Sequence, residues 1–162
     1  GGGTTAGRPR LSPPPPPPAD APAVGRLVRH LLELVVPPER LTPLPPLVDA
    51  AARLLGEQKM LAWLAESAGQ AVGLITVVTV HAIYARGAFG EVNELYVEPD
   101  FQGSGLSRRL VEVARDHGKA AGWSRLQLSA PQAGTPGAAR ANAFYARLGF
   151  TDVGPTLMLP IA

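Results

Sequence analysis

The 162-residue chain contains no cysteine. That absence removes a disulfide framework, a thiolate metal site and a cysteine nucleophile together. Its three histidines, His30, His81 and His117, stand far apart and match no metal-ligand spacing, so no metal is expected. Charge is scarce: Asp, Glu, Lys and Arg make up 17% of the residues, and the net charge is +2. With no basic stripe carrying interleaved aromatics, a nucleic-acid partner is not expected. No apolar run reaches the length of a membrane span, and no charged start followed by an apolar stretch reads as a secretory signal. The expectation is a cytoplasmic protein with no membrane partner.

What the chain does have is apolar mass. Hydrophobic residues make up 46% of it, enough for a sizeable core in one domain. That domain is expected at residues 20–162. Residues 1–19 form a low-complexity Gly/Pro-rich tail, with six consecutive prolines from Pro13 to Pro18. Such a run favours polyproline II. It reads plainly as a stiff tail and more sharply as a ligand for an aromatic-grooved module.

Hydrophobic spacing then predicts two helices. In the first, Asp20 is the expected cap, Pro22 lies in the first turn, and Val24, Leu27, Val28, Leu31, Leu34 and Val35 form one apolar face. Pro37 and Pro38 end it. The second starts at Thr42-Pro43 and stops at Gly56. From Lys59 the period changes. Strands are expected over Lys59–Glu66, Val72–Tyr84 and Glu91–Val97, with turns at Ala68–Gln70 and around Arg86, Gly87 and Gly90. A helix over Ser104–Ala121 follows, then a strand over Trp123–Ser129 expected to run parallel to its neighbour. Next come a helix opening at Thr135-Pro136 and ending at Gly149, and short strands over Phe150–Val153 and Thr156–Leu159. This is an α+β pattern with a mostly antiparallel sheet.

Two stretches carry chemistry. Glu94-Leu95-Tyr96-Val97 runs into Gln102-Gly103-Ser104-Gly105-Leu106-Ser107 and out into a helix. Free N–H groups at the positive end of a helix dipole suit an anion, and phosphate is the commonest. The stretch lacks the Gly-Lys-Ser/Thr of a Walker A loop and the spacing of a dinucleotide fingerprint. Taken by itself, it is equally well a plain turn. The second stretch is Asn142 to Phe150, a helix with a Gly stop, in which Tyr145 by itself reads as core.

Together, in this order and about 40 residues apart, the two stretches resemble the GNAT superfamily of N-acetyltransferases. Gln102 through Ser107 is similar to that family's pyrophosphate loop, and Phe144-Tyr145 through Gly149-Phe150 to its F-Y-x-x-x-G-F helix. The resemblance implies a mixed sheet with a splayed central strand pair and about four flanking helices. It implies an enzyme moving an acetyl group from acetyl-CoA, as cosubstrate, to a primary amine on a small molecule, peptide or protein. The alternative is a non-catalytic acyl-CoA-binding module of the same fold. The loop Gln102, Gly103, Ser104, Gly105, Leu106 and Ser107 is then expected to hold the CoA pyrophosphate, and the backbone of Tyr96 and Val97 the pantetheine arm. Tyr145 would protonate the CoA sulfur, and Glu94 or Glu91 would act on the amine, with His81 a third candidate. Strict alternation puts the two glutamates on opposite faces, and a bulge reverses that. A homodimer is implied by the resemblance alone. Three departures stand out: Ser107 in place of Gly or Ala, Ala138 in place of an asparagine, and prolines where a first strand is expected. That strand is displaced to Arg8–Ser12, irregular or missing.

Overall fold

A computed structural model describes residues 9–11 and 20–161; the proline run lies outside them. In chain order the elements are β1 (Arg10–Leu11), α1 (Ala21–Val35), α2 (Leu44–Gly56), β2 (Leu61–Ser67), β3 (Gln70–Ala82), β4 (Gly87–Val97), α3 (Leu106–Ala121), β5 (Leu126–Leu128) and α4 (Ala138–Leu148). The sheet order follows the sequence, from β1 to β5. By compactness the chain divides into two units, Gly1–Leu126 and Gln127–Ala162.

The first strand exists, in displaced form. Arg10 pairs with Glu66 and Leu11 with Ala65, antiparallel. The β2–β3 hairpin closes through Ala68 and Gly69, both at positive φ, which matches the twist of the strands it joins. β3 and β4 then pair antiparallel from Gly73↔Val97 to Ala82↔Gly87. The Ser124 N–H donates to Ala88 O at 3.1 Å, and the Gly90 N–H to Arg125 O at 3.0 Å. These bonds advance in the same direction along both segments, as in parallel neighbours.

Each face of the sheet in the first unit is covered by helix. Ala21, Val24 and Leu27 of α1 and Ala51 and Leu55 of α2 pack on Ala62, Leu64, Leu74 and Tyr96. On the other face α3 comes close: a Cβ at Gly73 would lie 3.3 Å from Leu106 and Leu110. Trp63 is fully buried on that side, edge-on to His117 of α3 at 5.4 Å. Burying each such large apolar side chain is worth about 1.5–3 kcal/mol, so this core holds α3 and its leading turn firmly to the sheet.

Several expectations need correction. Asp20 and Thr42 make no side-chain cap; Pro22 and Pro43–Pro46 instead supply preset helical entry with few N–H groups to satisfy. Leu34 and Val35 are 68% and 66% exposed, because α1 runs past the face it covers. Gly56 is the last residue of α2, and Gln58 takes the positive φ beyond it. Gly90 is no turn residue: it lies inside β4, under the Trp123 ring. The strand expected over Trp123–Ser129 shortens to Leu126–Leu128. The helix expected from Thr135 begins at Ala138, behind Gly137 at positive φ. No strand forms over 150–161 among the described residues. Leu157 and Leu159 there are 89% and 83% exposed, so these apolar side chains pack on no partner strand.

Candidate active site

The central feature of the first unit is a bulge in β4. The register runs Thr76↔Glu94 and then Val77↔Val92, leaving Asn93 as the extra, exposed residue. Opposed residues on antiparallel strands share a face, and alternate residues of one strand share a face. Glu94 opposes Thr76 and Glu91 opposes Val78, two residues further along β3. The bulge therefore brings Glu91 and Glu94 onto one face, which strict alternation forbids. It is the face that α1 and α2 cover, since Leu74↔Tyr96 belongs to their core.

Glu94 is held closely. The Thr76 hydroxyl accepts the Glu94 backbone N–H at 3.0 Å and donates to Glu94 Oε2. Burial pushes the Glu94 carboxyl above the usual glutamate range, and the Thr76 hydrogen bond pulls against that shift. A carboxylate raised in this way is a stronger base, better matched to taking a proton near neutral pH. Glu91 lies three positions earlier, partly exposed. His81 is exposed near the far end of β3.

Beyond β4, Pro99–Phe101 make one 3₁₀ turn and the chain enters α3 through Gly103 and Gly105, at φ +78° and +83°. Only glycine adopts this geometry without strain, and nothing lies within 4 Å of where either Cβ would be. Gln102 Nε2 donates back to Val97 O at 3.2 Å, and the Ser104 hydroxyl donates to Phe101 O. Both side chains therefore shape the turn from within. The N–H groups of Gly105, Leu106, Ser107 and Arg108 donate to no acceptor among the described residues. They form the unpaired first turn of α3, directed at the mouth of the glycine loop. Leu106 is buried and anchors the turn, while Ser107 is small enough to leave its N–H accessible. Of the two following arginines, Arg109 is engaged with Pro9 O at 2.9 Å, whereas Arg108 is exposed.

A polar cluster that sequence reasoning missed lies where β4 ends. His30 Nδ1 is 2.6 Å from Glu98 Oε1, and the Tyr96 hydroxyl donates to Glu98 Oε2 at 3.2 Å. Arg26 Nη1 lies 3.6 Å from the same carboxylate and Arg26 Nη2 donates to Ala71 O at 3.0 Å. Burial, and then the charge and hydrogen bond of Glu98, push the Tyr96 phenol up to about 12. The cluster pins α1 to the end of the strand that leads into the glycine turn. No local signal could have found it, because His30 and Glu98 are 68 residues apart.

Tyr145 belongs to the second unit. It sits in α4, half-buried, with Phe144 at 5.6 Å and Phe150 edge-on at 5.9 Å. The Phe150 N–H donates to Tyr145 O at 3.0 Å, and Gly149 at φ +98° closes the helix. The aromatic after the glycine thus folds back on the tyrosine, as the helix-and-stop pattern predicts. Burial alone raises the Tyr145 phenol, so it is neutral and protonated at neutral pH.

Among the described residues no group of three or more His, Asp or Glu is placed to hold a metal. Nor is any helix there long and apolar enough to cross a membrane.

Comparison with known proteins agrees with this layout. Residues 58–152 match the acetyltransferase (GNAT) domain model. An IAA acetyltransferase of Azospirillum brasilense is 40% identical over 74 residues, covering 46% of each chain. The chain spans about half the length of the curated relatives it matches, 46% and 44% for two of them. Among solved structures, a ribosomal-protein-alanine N-acetyltransferase from Brucella melitensis biovar Abortus 2308 superposes with a TM-score of 0.75 at 19% identity, over 96% of this chain and 100% of that one. An acetyl-CoA complex of a predicted acetyltransferase from Clostridium acetobutylicum gives 0.73 at 17% identity, over 95% and 96%. At such identities the structures speak for the fold alone, whereas the domain match covers more than half of the chain. The glycine turn, the bulged strand before it and the aromatic helix after it all lie within the matched residues, and the chain belongs to the GNAT acetyltransferase family.

Proposed function

We propose that the protein transfers an acetyl group from acetyl-CoA to a primary amine by direct attack. The observation that carries this reading is the pairing of a raised carboxyl at Glu94 with the unpaired N–H groups of α3, reached along the same strand. A carboxylate drawn partly out of water is costly to keep, and a site that only gripped CoA would have no use for it.

The residues fit the cosubstrate. The open space over Gly103 and Gly105 admits a bulky anion close to the backbone, and the N–H groups of Gly105 to Arg108 would meet the pyrophosphate. When bound, acetyl-CoA supplies the acyl group and a thiol leaving group. Tyr96 and Val97 offer backbone groups towards the pantetheine, although Val97 O already accepts from Gln102. Glu94 draws the proton from the incoming amine, directly or through water, and Glu91 on the same face helps to orient it. Tyr145, protonated through burial, returns a proton to the departing sulfur. The acceptor is a small-molecule, peptide or protein amine. The relative acting on IAA and the neighbour acting on ribosomal-protein alanine widen that range rather than narrow it.

The test is CoA release from acetyl-CoA across an amine panel, comparing wild type with Tyr145→Phe and Glu94→Gln. Amine-stimulated release that both substitutions depress supports the reading. Tight CoA binding with no amine-stimulated release overturns it in favour of an acyl-CoA-binding module.

A further inference from the structure

We propose that Thr76 is a positioning residue for the Glu94 carboxylate, an inference that rests on Glu94 being the base of the proposed reaction. Thr76 is 0% exposed and, among the described residues, the one polar side chain fully buried in the core. It interrupts the run Gly73-Leu74-Ile75-Thr76-Val77-Val78 on β3, where valine would supply the same shape and strand preference. The hydroxyl is therefore not there for packing, and a buried hydroxyl is costly unless paired.

Its pairing is specific. One hydroxyl has one hydrogen to give and two lone pairs to accept with. Thr76 accepts the Glu94 N–H at 3.0 Å and gives its hydrogen to Glu94 Oε2. A single side chain thus grips both the backbone and the carboxylate of the same residue, and Oε1 is left with no partner among the described residues. The grip falls where the β3–β4 register shifts, between Thr76 and Val77, so the hydroxyl also fixes the chain on one side of the bulge. Because a long glutamate side chain has several rotamers, holding one oxygen fixes where the other is presented, which is the requirement for proton transfer from a bound amine.

The surroundings leave this role to Thr76. On its own strand Glu94 shares a face with Glu91 and with Tyr96; from β3 it faces Thr76 and Val78. From the covering helix α1, His30 and Arg26 are directed to Glu98, Arg29 lies 3.7 Å from Glu33, and the Glu33 charge acts on the Tyr96 phenol. Burial raises the Glu94 carboxyl and the Thr76 hydrogen bond is the influence that lowers it. Removing the hydroxyl moves the Glu94 titration to higher pH, so more of the base is protonated at a given pH.

The experiment is a carboxyl-carbon NMR titration of Glu94 in wild type, Thr76→Val and Thr76→Ser, alongside pH profiles of kcat and kcat/KM. In Thr76→Val the Glu94 titration and the acid limb of kcat move together to higher pH, kcat falls about tenfold, and KM changes less. Thr76→Ser restores both. Should Thr76→Val not fold, Thr76→Cys, a weak donor of similar size, moves the titration in the same direction. An unmoved titration in a folded variant overturns the grip itself. A titration that moves while the acid limb of an active enzyme stays in place shows that Glu94 is not the base, and the positioning role falls with it.

Discussion

A Cβ built on Gly90 would lie 2.6 Å from Cε3 of Trp123 and equally close to Cδ2 of Leu126. The indole occupies the space a side chain would take, and it does so over Gly118 as well, where a Cβ would lie 2.7 Å from the same ring carbon. One tryptophan thus binds β4 to α3 through two glycines. Gly90→Ala is expected to destabilise the fold by about 1–3 kcal/mol through overpacking, read as a shifted midpoint in urea unfolding with an unchanged slope.

Glu94→Gln separates function from stability. It is expected to lower kcat about a hundredfold by removing the proposed base. Yet it keeps an oxygen for the Thr76 hydroxyl. Because burial raises the folded-state carboxyl, the favourable state is the protonated one. That contribution is fully present below the ordinary glutamate range and is lost as pH rises through the raised folded value. At pH above that window, Glu94→Gln is therefore expected to melt no lower than wild type and to show a flatter dependence of Tm on pH. Thermal melts across the pH range check this.

Tyr145→Phe keeps the ring contacts with Phe144 and Phe150 and removes the proposed proton donor. The expected outcome is a fall in kcat of about tenfold to a hundredfold, with CoA affinity by calorimetry unchanged. Burial raises the Tyr145 phenol, so it stays protonated beyond the ordinary tyrosine range. Any alkaline limb of wild-type kcat is accordingly expected no earlier than that range.

Glu98→Gln tests the brace between α1 and the end of β4. Tyr96 is pushed up to about 12 by burial first and by Glu98 next. Without the carboxylate charge, its ionisation is expected at lower pH, followed by NMR of ring-labelled tyrosine. The raised phenol keeps its stabilising contribution below the ordinary tyrosine range and loses it as pH rises towards about 12. The variant narrows that window from above.

Residues whose partners are close in sequence were legible. Gly103, Gly105, Gly122 and Gly149 all adopt positive φ, where a turn or helix end next to them requires it. The glycine turn and the Tyr145 helix could be read for that reason. Gly90 could not: its partner Trp123 is distant in sequence, and a glycine within a strand resembles a turn until the ring above it is known. The same holds for His30 with Glu98 and Thr76 with Glu94, whose pairing depends on the sheet register. Two short strands are expected within 150–161, but a strand also requires a neighbour to pair with, and none forms there among the described residues.

The extra residue in β4 behaves like a shift of reading frame. Every side chain on its amino-terminal side is turned over relative to those on its carboxy-terminal side, and Asn93 is where the frame changes. Deleting Asn93 alone would remove no buried contact, because it is exposed. It would leave Val92 directly next to Glu94, as Val77 is next to Thr76, so Glu91 and Glu94 would still share a face, now by plain alternation. The two carboxylates part company only if Asn93 is kept and paired in register, because positions 91 and 94 then fall on opposite faces of the strand.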